Sequence, residues 1–144
     1  MRPRSLRLTL TGLAATAAIA LAWPAMAEVV NLKTSMNATN QVPPNSSKGT
    51  GTLTATYDTA SKKLSWKGTA TGLSGPATAA HFHAGEAGKN GGVVIPISGA
   101  DQGSFEGSAT LTDAQASDLM GGKLYVNVHT AANKGGEIRG QVTK

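Results

Sequence analysis

The chain has 144 residues, enough for one domain, and it contains no cysteine. The lack of cysteine excludes disulfides, thiolate nucleophiles, iron–sulfur clusters and cysteine-ligated zinc sites. The formal net charge is +5, but three arginines lie in residues 1–27, and the remainder carries ten basic and eight acidic residues, a net charge of +2. So small a charge does not indicate a nucleic-acid or anionic-membrane partner.

Residues 1–27 have the three parts of a secretory signal. Three arginines lie among the first seven residues, an apolar run follows over 13–23, and Ala25-Met26-Ala27 forms an A-x-A cleavage site. The apolar run is shorter than the roughly 20 residues of a membrane span. We therefore predict a signal peptide at 1–27 and a mature domain at 28–144, exported to the periplasm or the extracellular space, with an uncleaved N-terminal anchor as the alternative.

The mature chain is rich in Gly, Thr, Ala and Val, and its apolar residues alternate with polar ones over short runs separated by turn-rich pieces. This pattern predicts antiparallel strands arranged as a sandwich or barrel. The predicted strands are 29–38, 50–57, 63–71, 79–84, 93–97, 104–111, 123–130 and 137–143.

One segment departs from the strand pattern. In "TDAQASDLMGG", Thr112 is a suitable N-cap, and Ala114, Leu119 and Met120 are at roughly helical spacing before the glycines at 121–122. We predict a helix of one or two turns between two strands.

The chain's three histidines fall at related positions of two predicted strands. Because side chains alternate between the faces of a sheet, His81 and His83 share one face. In "KLYVNVHT" the aliphatic residues share a face, which places Tyr125, Asn127 and His129 on the opposite one.

The last predicted strand, "GEIRGQVT", has the same organisation. Ile138 and Val142 mark its core side and leave Glu137, Arg139 and Gln141 on the outward side. The short connection "TAANKGG" favours pairing of this strand with the preceding one. If the strand of the first two histidines lies beside either, one outward sheet face carries all three imidazoles and the arginine.

A His-x-His pair on a strand with a third histidine from another strand is a chelating pattern, so His81, His83 and His129 are predicted metal ligands. Neutral imidazole suits copper, zinc, nickel and iron, and copper(II) binds most tightly among the divalent ions. The alternative is that the histidines are solvated surface residues. Arg139 has a similar alternative, either solvated or paired with Glu137 or Glu86.

Other chemistries have weaker support in the sequence. The glycine-rich "GEAGKNGG" matches neither a P-loop nor a dinucleotide-binding turn, although its glycines allow the backbone to approach the histidines closely. The sequence has no G-x-S-x-G elbow, and its carboxylates are dispersed. A hydrolase is therefore disfavoured.

At "TGLSGPATAAHFHAGEAGKNGGVVIPI" and "GGKLYVNVHTAANKGGEIRGQV" the sequence resembles the CHRD domain family, named for its occurrence in chordin. The likeness covers most of residues 28–144. The run from Leu124 to Gln141 looks like the family signature, with Lys134 where a proline is common. The resemblance implies an immunoglobulin-like antiparallel sandwich in an exported protein, with no generally assigned activity.

The order of the histidine strands and of "GGEIRG" is more distantly similar to copper,zinc superoxide dismutases, which are Greek-key sandwiches. That likeness implies His81, His83 and His129 as copper ligands and Arg139 as a catalytic guide for an anionic substrate. The chain has no fourth histidine, none of that family's zinc ligands and no disulfide cysteines.

Three functions stay open at this point. The protein could be a copper enzyme that disproportionates superoxide, a non-catalytic copper carrier in the exported compartment, or a metal-free interaction module with incidental histidines.

Overall fold

The computed structural model of the protein describes residues 26–144, so all but the end of the predicted signal peptide lies outside the described residues. The described chain forms eight strands, one α-helix and two short 3-10 turns. The strands are β1 (Val29–Asn37), β2 (Thr50–Asp58), β3 (Lys63–Thr71), β4 (Ala77–Ala84), β5 (Val93–Ile97), β6 (Ser104–Thr110), β7 (Leu124–Thr130) and β8 (Ile138–Gln141). The helix is α1 (Asp113–Met120), and the 3-10 turns are Ala38–Asn40 and Ala100–Gln102. The all-β prediction is confirmed, and every strand boundary lies within two residues of its predicted position.

All strands belong to one antiparallel sheet in the order β5-β4-β7-β8-β1-β2-β3-β6. Its two edge strands, β5 and β6, contact each other, so the sheet folds over toward a barrel. The connections from β3 to β4 and from β6 to β7 join strands that are not neighbours in this order. Strand β7 thus returns beside β4, which is a Greek-key arrangement, as predicted.

The strands that carry the histidines are neighbours. Strand β4 pairs with β7, placing His81 opposite Asn127 and His83 opposite Tyr125. Strand β7 pairs in turn with β8, placing Asn127 opposite Arg139. The predicted adjacency of these three strands is therefore confirmed, and their polar side chains share one face.

The opposite face of the same strands contributes to the main core. The ring of Phe82 is fully buried and meets Trp66 edge-on, with ring centroids 5.0 Å apart. Gly107 lies opposite Trp66 in the register, where a β-carbon would come within 2.7 Å of the indole. The Trp66 ring of β3 thus packs against Phe82 of β4 and against Gly107 of β6, and it joins distant parts of the sheet.

Helix α1 has the predicted ends. The Thr112 hydroxyl accepts a hydrogen bond from the Gln115 amide at 3.2 Å, and the Gln115 side chain accepts one from the Thr112 amide at 2.9 Å. This reciprocal pair is a capping box. The helix buries Leu119 and is followed by Gly122 at φ +71°, a conformation that favours glycine. No helix within residues 26–144 is long and apolar enough to cross a membrane.

The prediction that the polar face of β7 and β8 points outward to solvent is wrong. Tyr125, Asn127, Glu137 and Arg139 are all buried, with Arg139 only 1% exposed. For Tyr125 and Arg139 the reason is that the β4–β5 loop, residues 85–92, folds back over this face and hydrogen-bonds to it. Strand alternation correctly identifies which side chains share a face, but it does not reveal whether a loop covers that face.

Replacing Phe82 by alanine is expected to lower the free energy of unfolding by about 3 to 5 kcal/mol, because a buried ring is lost and a cavity remains. Urea unfolding followed by circular dichroism measures this loss. The matched control is Val93→Ala on neighbouring β5, because Val93 is 57% exposed. A control loss as large as that of Phe82→Ala would contradict this account of the core.

Candidate metal centre

The three histidines converge. One ring nitrogen from each of His81, His83 and His129 lies within 4.8 Å of the other two. The Nδ1 atom of His81 is 3.2 Å from the Nε2 atom of His129. Metal–nitrogen bonds of about 2.0 to 2.1 Å place neighbouring ligand nitrogens roughly 3 to 3.5 Å apart. The pair formed by His81 and His129 therefore has ligand spacing, and a ring nitrogen of the third imidazole, His83, lies within 4.8 Å of both.

The orientation of His83 is fixed on both sides of its ring. Its Nδ1–H donates to the Gly91 carbonyl at 3.0 Å, and the ring stacks on Tyr125 with centroids 4.9 Å apart and planes 5° from parallel. With the proton on Nδ1, the lone pair is on Nε2. That Nε2 atom is buried and has no hydrogen-bond partner among the described residues. An unpartnered buried acceptor beside two other imidazoles is what a metal ligand would leave in the metal-free protein.

His129 is oriented in the same way by another loop. Its Nδ1–H donates to the Lys134 carbonyl in the β7–β8 turn at 2.8 Å, which leaves the Nε2 lone pair facing His81. Carbonyl acceptors behind metal-bound imidazoles fix both the tautomer and the ring orientation. Burial, together with the nearby His129 and His83, lowers the pKa of His81, so this ring is neutral and able to bind a metal at neutral pH.

Arg139 is enclosed by the 85–92 loop. Its Nη2 donates to the carbonyls of Glu86 and Lys89 at 3.0 and 2.7 Å, and its Nη1 donates to the Asn90 side chain at 3.2 Å. The guanidinium carbon also lies 3.5 Å from the centroid of the Tyr125 ring. Among residues 26–144 no carboxylate lies within ion-pair distance of Arg139. The predicted pairing with Glu137 or the Glu86 side chain is therefore wrong, and neutral carbonyls compensate this charge.

Glu137, two residues before Arg139, is the other buried charged residue here, and it is enclosed by hydrogen-bond donors. Its carboxylate accepts five hydrogen bonds, at 2.5 to 3.2 Å. The donors are the Ser47 hydroxyl, the Ser74 amide and hydroxyl, the Thr130 hydroxyl and the Asn133 amide group. Burial alone would raise the pKa of Glu137, but the hydrogen bonds outweigh it and lower the pKa to about 2.

Gly91 is required for the loop to approach the histidines. A β-carbon at this position would lie 1.5 Å from the Ala84 carbonyl oxygen, so no other residue fits this backbone. The close approach brings the Gly91 carbonyl to His83 and its amide within 3.2 Å of the Tyr125 hydroxyl. The predicted role of the glycines, close approach of the backbone to the histidines, is confirmed at this position.

These features define the class of the protein: a Greek-key β-domain with three converging imidazoles on a loop-covered face. The CHRD domain family profile matches residues 32–142. The match covers most of the chain, and the protein belongs to the CHRD domain family. Comparisons with curated proteins and with solved structures found no match. The distant likeness to copper,zinc superoxide dismutases is not borne out by these comparisons.

Sequence reasoning identified the three histidines and the face they share, but it missed the groups that orient them. The missed groups are the carbonyls of Gly91 and Lys134 and the ring of Tyr125. Backbone carbonyls leave no signal in a sequence. The position of Tyr125 on the histidine face was the one available signal, because an aromatic ring beside a same-face histidine can stack on it.

The low pKa of Glu137 has a consequence for stability. A carboxyl whose folded pKa is about 2, against an ordinary 4.5, stabilises the fold above pH 4.5, and this contribution is lost as the pH falls from 4.5 through 2. The contribution is on the order of 3 kcal/mol. We expect Glu137→Gln to be less stable than wild type by this order at pH 7, with the gap closing toward pH 2. Urea unfolding of both proteins at several pH values measures it, and a pH-independent gap would contradict the account.

Proposed function

We propose that this protein is an exported metal-binding CHRD protein in which His81, His83 and His129 hold one transition-metal ion. The observation that carries the proposal is the buried Nε2 atom of His83, which has no hydrogen-bond partner among the described residues and lies in a cluster with ring nitrogens of His81 and His129. A surface histidine would have water as its partner. A structural core histidine would have both ring nitrogens bonded.

Copper is the ion we propose, with zinc as the second choice. An all-nitrogen set of neutral imidazoles suits both, and the divalent affinity order favours copper(II) over zinc. Three protein ligands leave a position open to a further ligand, since His81 and His129 are only partly buried. A bound copper ion would supply one-electron redox chemistry or transfer to a partner, while the protein supplies the imidazoles and their orientation.

Export rests on the first 27 residues, with their arginines, apolar run and A-x-A site. The described domain is compatible with an oxidising compartment, because it has no cysteine to oxidise. In this setting we favour a copper carrier or buffer over an enzyme. The buried Arg139, engaged by loop carbonyls, supports this preference, because an anion guide must face incoming solvent.

Free copper(II) in excess over the protein is expected to raise the melting temperature of the purified protein. Binding to the folded state alone at a hundredfold excess over Kd adds about 2.7 kcal/mol, on the order of 10 °C for a domain of this size. Differential scanning calorimetry with copper, zinc and nickel measures the shift, and isothermal titration gives the stoichiometry.

The matched control for this experiment is the triple variant His81→Ala, His83→Ala, His129→Ala, which contains no histidine or cysteine at all. It should lose the shift completely, and each single variant should lose most of it. Retained one-to-one binding in the triple variant would reject the proposed ligands. No shift with any of the three ions would favour a metal-free interaction module.

Superoxide disproportionation is the second candidate, favoured by the partly exposed positions of His81 and His129, which leave a small anion access to the cluster. We expect the copper-loaded protein to be a poor catalyst, slower than equimolar free copper, because Arg139 is buried and bonded to loop carbonyls and so does not focus the anion on the site. Stopped-flow decay of superoxide measures this rate at low and high salt. A fast, salt-sensitive decay that disappears in Arg139→Gln would instead establish an enzyme with Arg139 as its guide.

A further inference from the structure

We propose that Glu137 and Arg139 are positioning residues that separately set the tautomers of two histidines of the cluster, His129 and His83. Each residue holds one loop, and each loop presents one backbone carbonyl to one imidazole. Arg139 acts on His83 through the 85–92 loop, and Glu137 acts on His129 through the β7–β8 turn, residues 131–137. As a statement about metal ligands, the inference rests on the proposed function.

The first half is carried by the contacts of Arg139. Its guanidinium binds the carbonyls of Glu86 and Lys89 and the side chain of Asn90, three groups within five consecutive residues. The next residue is Gly91, whose carbonyl accepts the His83 Nδ1 proton. Arg139 therefore holds the loop up to Asn90, the residue just before the Gly91 carbonyl that orients His83.

A second contact leads from Arg139 to the same histidine. The register places His83 on β4 and Arg139 on β8, the two strands that flank β7. The Tyr125 ring on β7 stacks on His83, and the guanidinium carbon of Arg139 lies 3.5 Å from the centroid of the same ring. The Tyr125 hydroxyl accepts a hydrogen bond from the Gly91 amide at 3.2 Å. Arg139 thus restrains both the ring plane of His83 and its hydrogen-bond acceptor.

The second half is carried by the contacts of Glu137 within the turn. Its carboxylate accepts hydrogen bonds from the hydroxyl of Thr130, the last residue of β7, and from the side chain of Asn133 within the turn. The Asn133 amide also donates to the Thr130 carbonyl at 3.1 Å, and the Gly136 amide donates to the Asn133 carbonyl at 3.0 Å. These bonds fix the backbone on both sides of Lys134, whose carbonyl accepts the His129 Nδ1 proton.

The two devices are separate. Among the described residues no hydrogen bond or ion pair joins Glu137 to Arg139 or to the 85–92 loop, although the two charges are two positions apart in the sequence. Carbonyl orientation of metal-bound imidazoles affects metal affinity by 10- to 100-fold when it is lost. A histidine whose proton moves to Nε2 presents that proton, and no lone pair, to the cluster.

The test is the tautomeric state of each histidine in the metal-free, ¹⁵N-labelled protein, read from long-range ¹H–¹⁵N correlations of the imidazole rings. In wild type, His83 and His129 should both carry the proton on Nδ1. Arg139→Gln should give a tautomer mixture at His83 and leave His129 unchanged, and Glu137→Gln should do the reverse. In each variant we expect copper affinity, measured by competition with a chelator, to fall 10- to 100-fold.

The matched control is Val142→Ala, which removes buried volume just beyond β8 while leaving both loops intact. It should lower stability without altering either tautomer. If a charged-residue variant does not fold, Asn90→Ala and Asn133→Ala remove one partner of Arg139 and of Glu137, and should shift the same histidine partially.

Two results would overturn the inference: unchanged tautomers in the variants, or changes at both histidines in each variant and in Val142→Ala alike. Failure of the proposed function is a different result, in which wild type binds no metal. The tautomers would still test the positioning roles in that case. A change at His83 alone in Arg139→Gln and at His129 alone in Glu137→Gln would support them, and unchanged tautomers would reject them.

Discussion

The buried opposite charges of Glu137, just before β8, and Arg139, within it, have no charged partner among the described residues, and they impose the constraint on which this face of the protein depends. A buried charge is tolerated only when it is fully hydrogen-bonded. Arg139 requires acceptors, and Glu137 requires donors. The acceptors come from the 85–92 loop. The donors come from Thr130 at the end of β7 and from the turns around Ser47, Ser74 and Asn133.

The two charges explain why an apparently solvent-facing sheet surface becomes a second, polar core. Alternation in β4, β7 and β8 predicted which residues share this face, because side-chain direction follows directly from strand geometry. It predicted the wrong exposure for Arg139, because coverage depends on where a distant loop settles. The glycines of "GEAGKNGG" indicated a backbone that can approach the histidines closely. The loop's position is set by the fit of Gly91 against the Ala84 carbonyl and by its hydrogen bonds to Arg139 and Gln141.

The sequence predicted the three histidines of the candidate site, but not the groups that orient them. Three histidines in a chain with few aromatic residues and no cysteine leave a small set of possible ligands, and strand register brought them together. The likeness to copper,zinc superoxide dismutases implied that Arg139 faces an anion, and the alternative was that it is solvated or paired with a carboxylate. Its three hydrogen-bond acceptors include two backbone carbonyls, and no sequence pattern records those.

The arrangement also separates metal binding from folding. In small metal-dependent domains the ligands come together only when the ion is present, so binding energy becomes folding energy. Here Phe82, Trp66 and the aliphatic core hold the sheet, while hydrogen bonds from carbonyls already direct the protons of His83 and His129 away from the cluster. In the proposed function, Glu137 and Arg139 orient the proposed ligands during folding. A domain built in this way would keep its shape on releasing an ion, which suits a carrier better than a structural metal site.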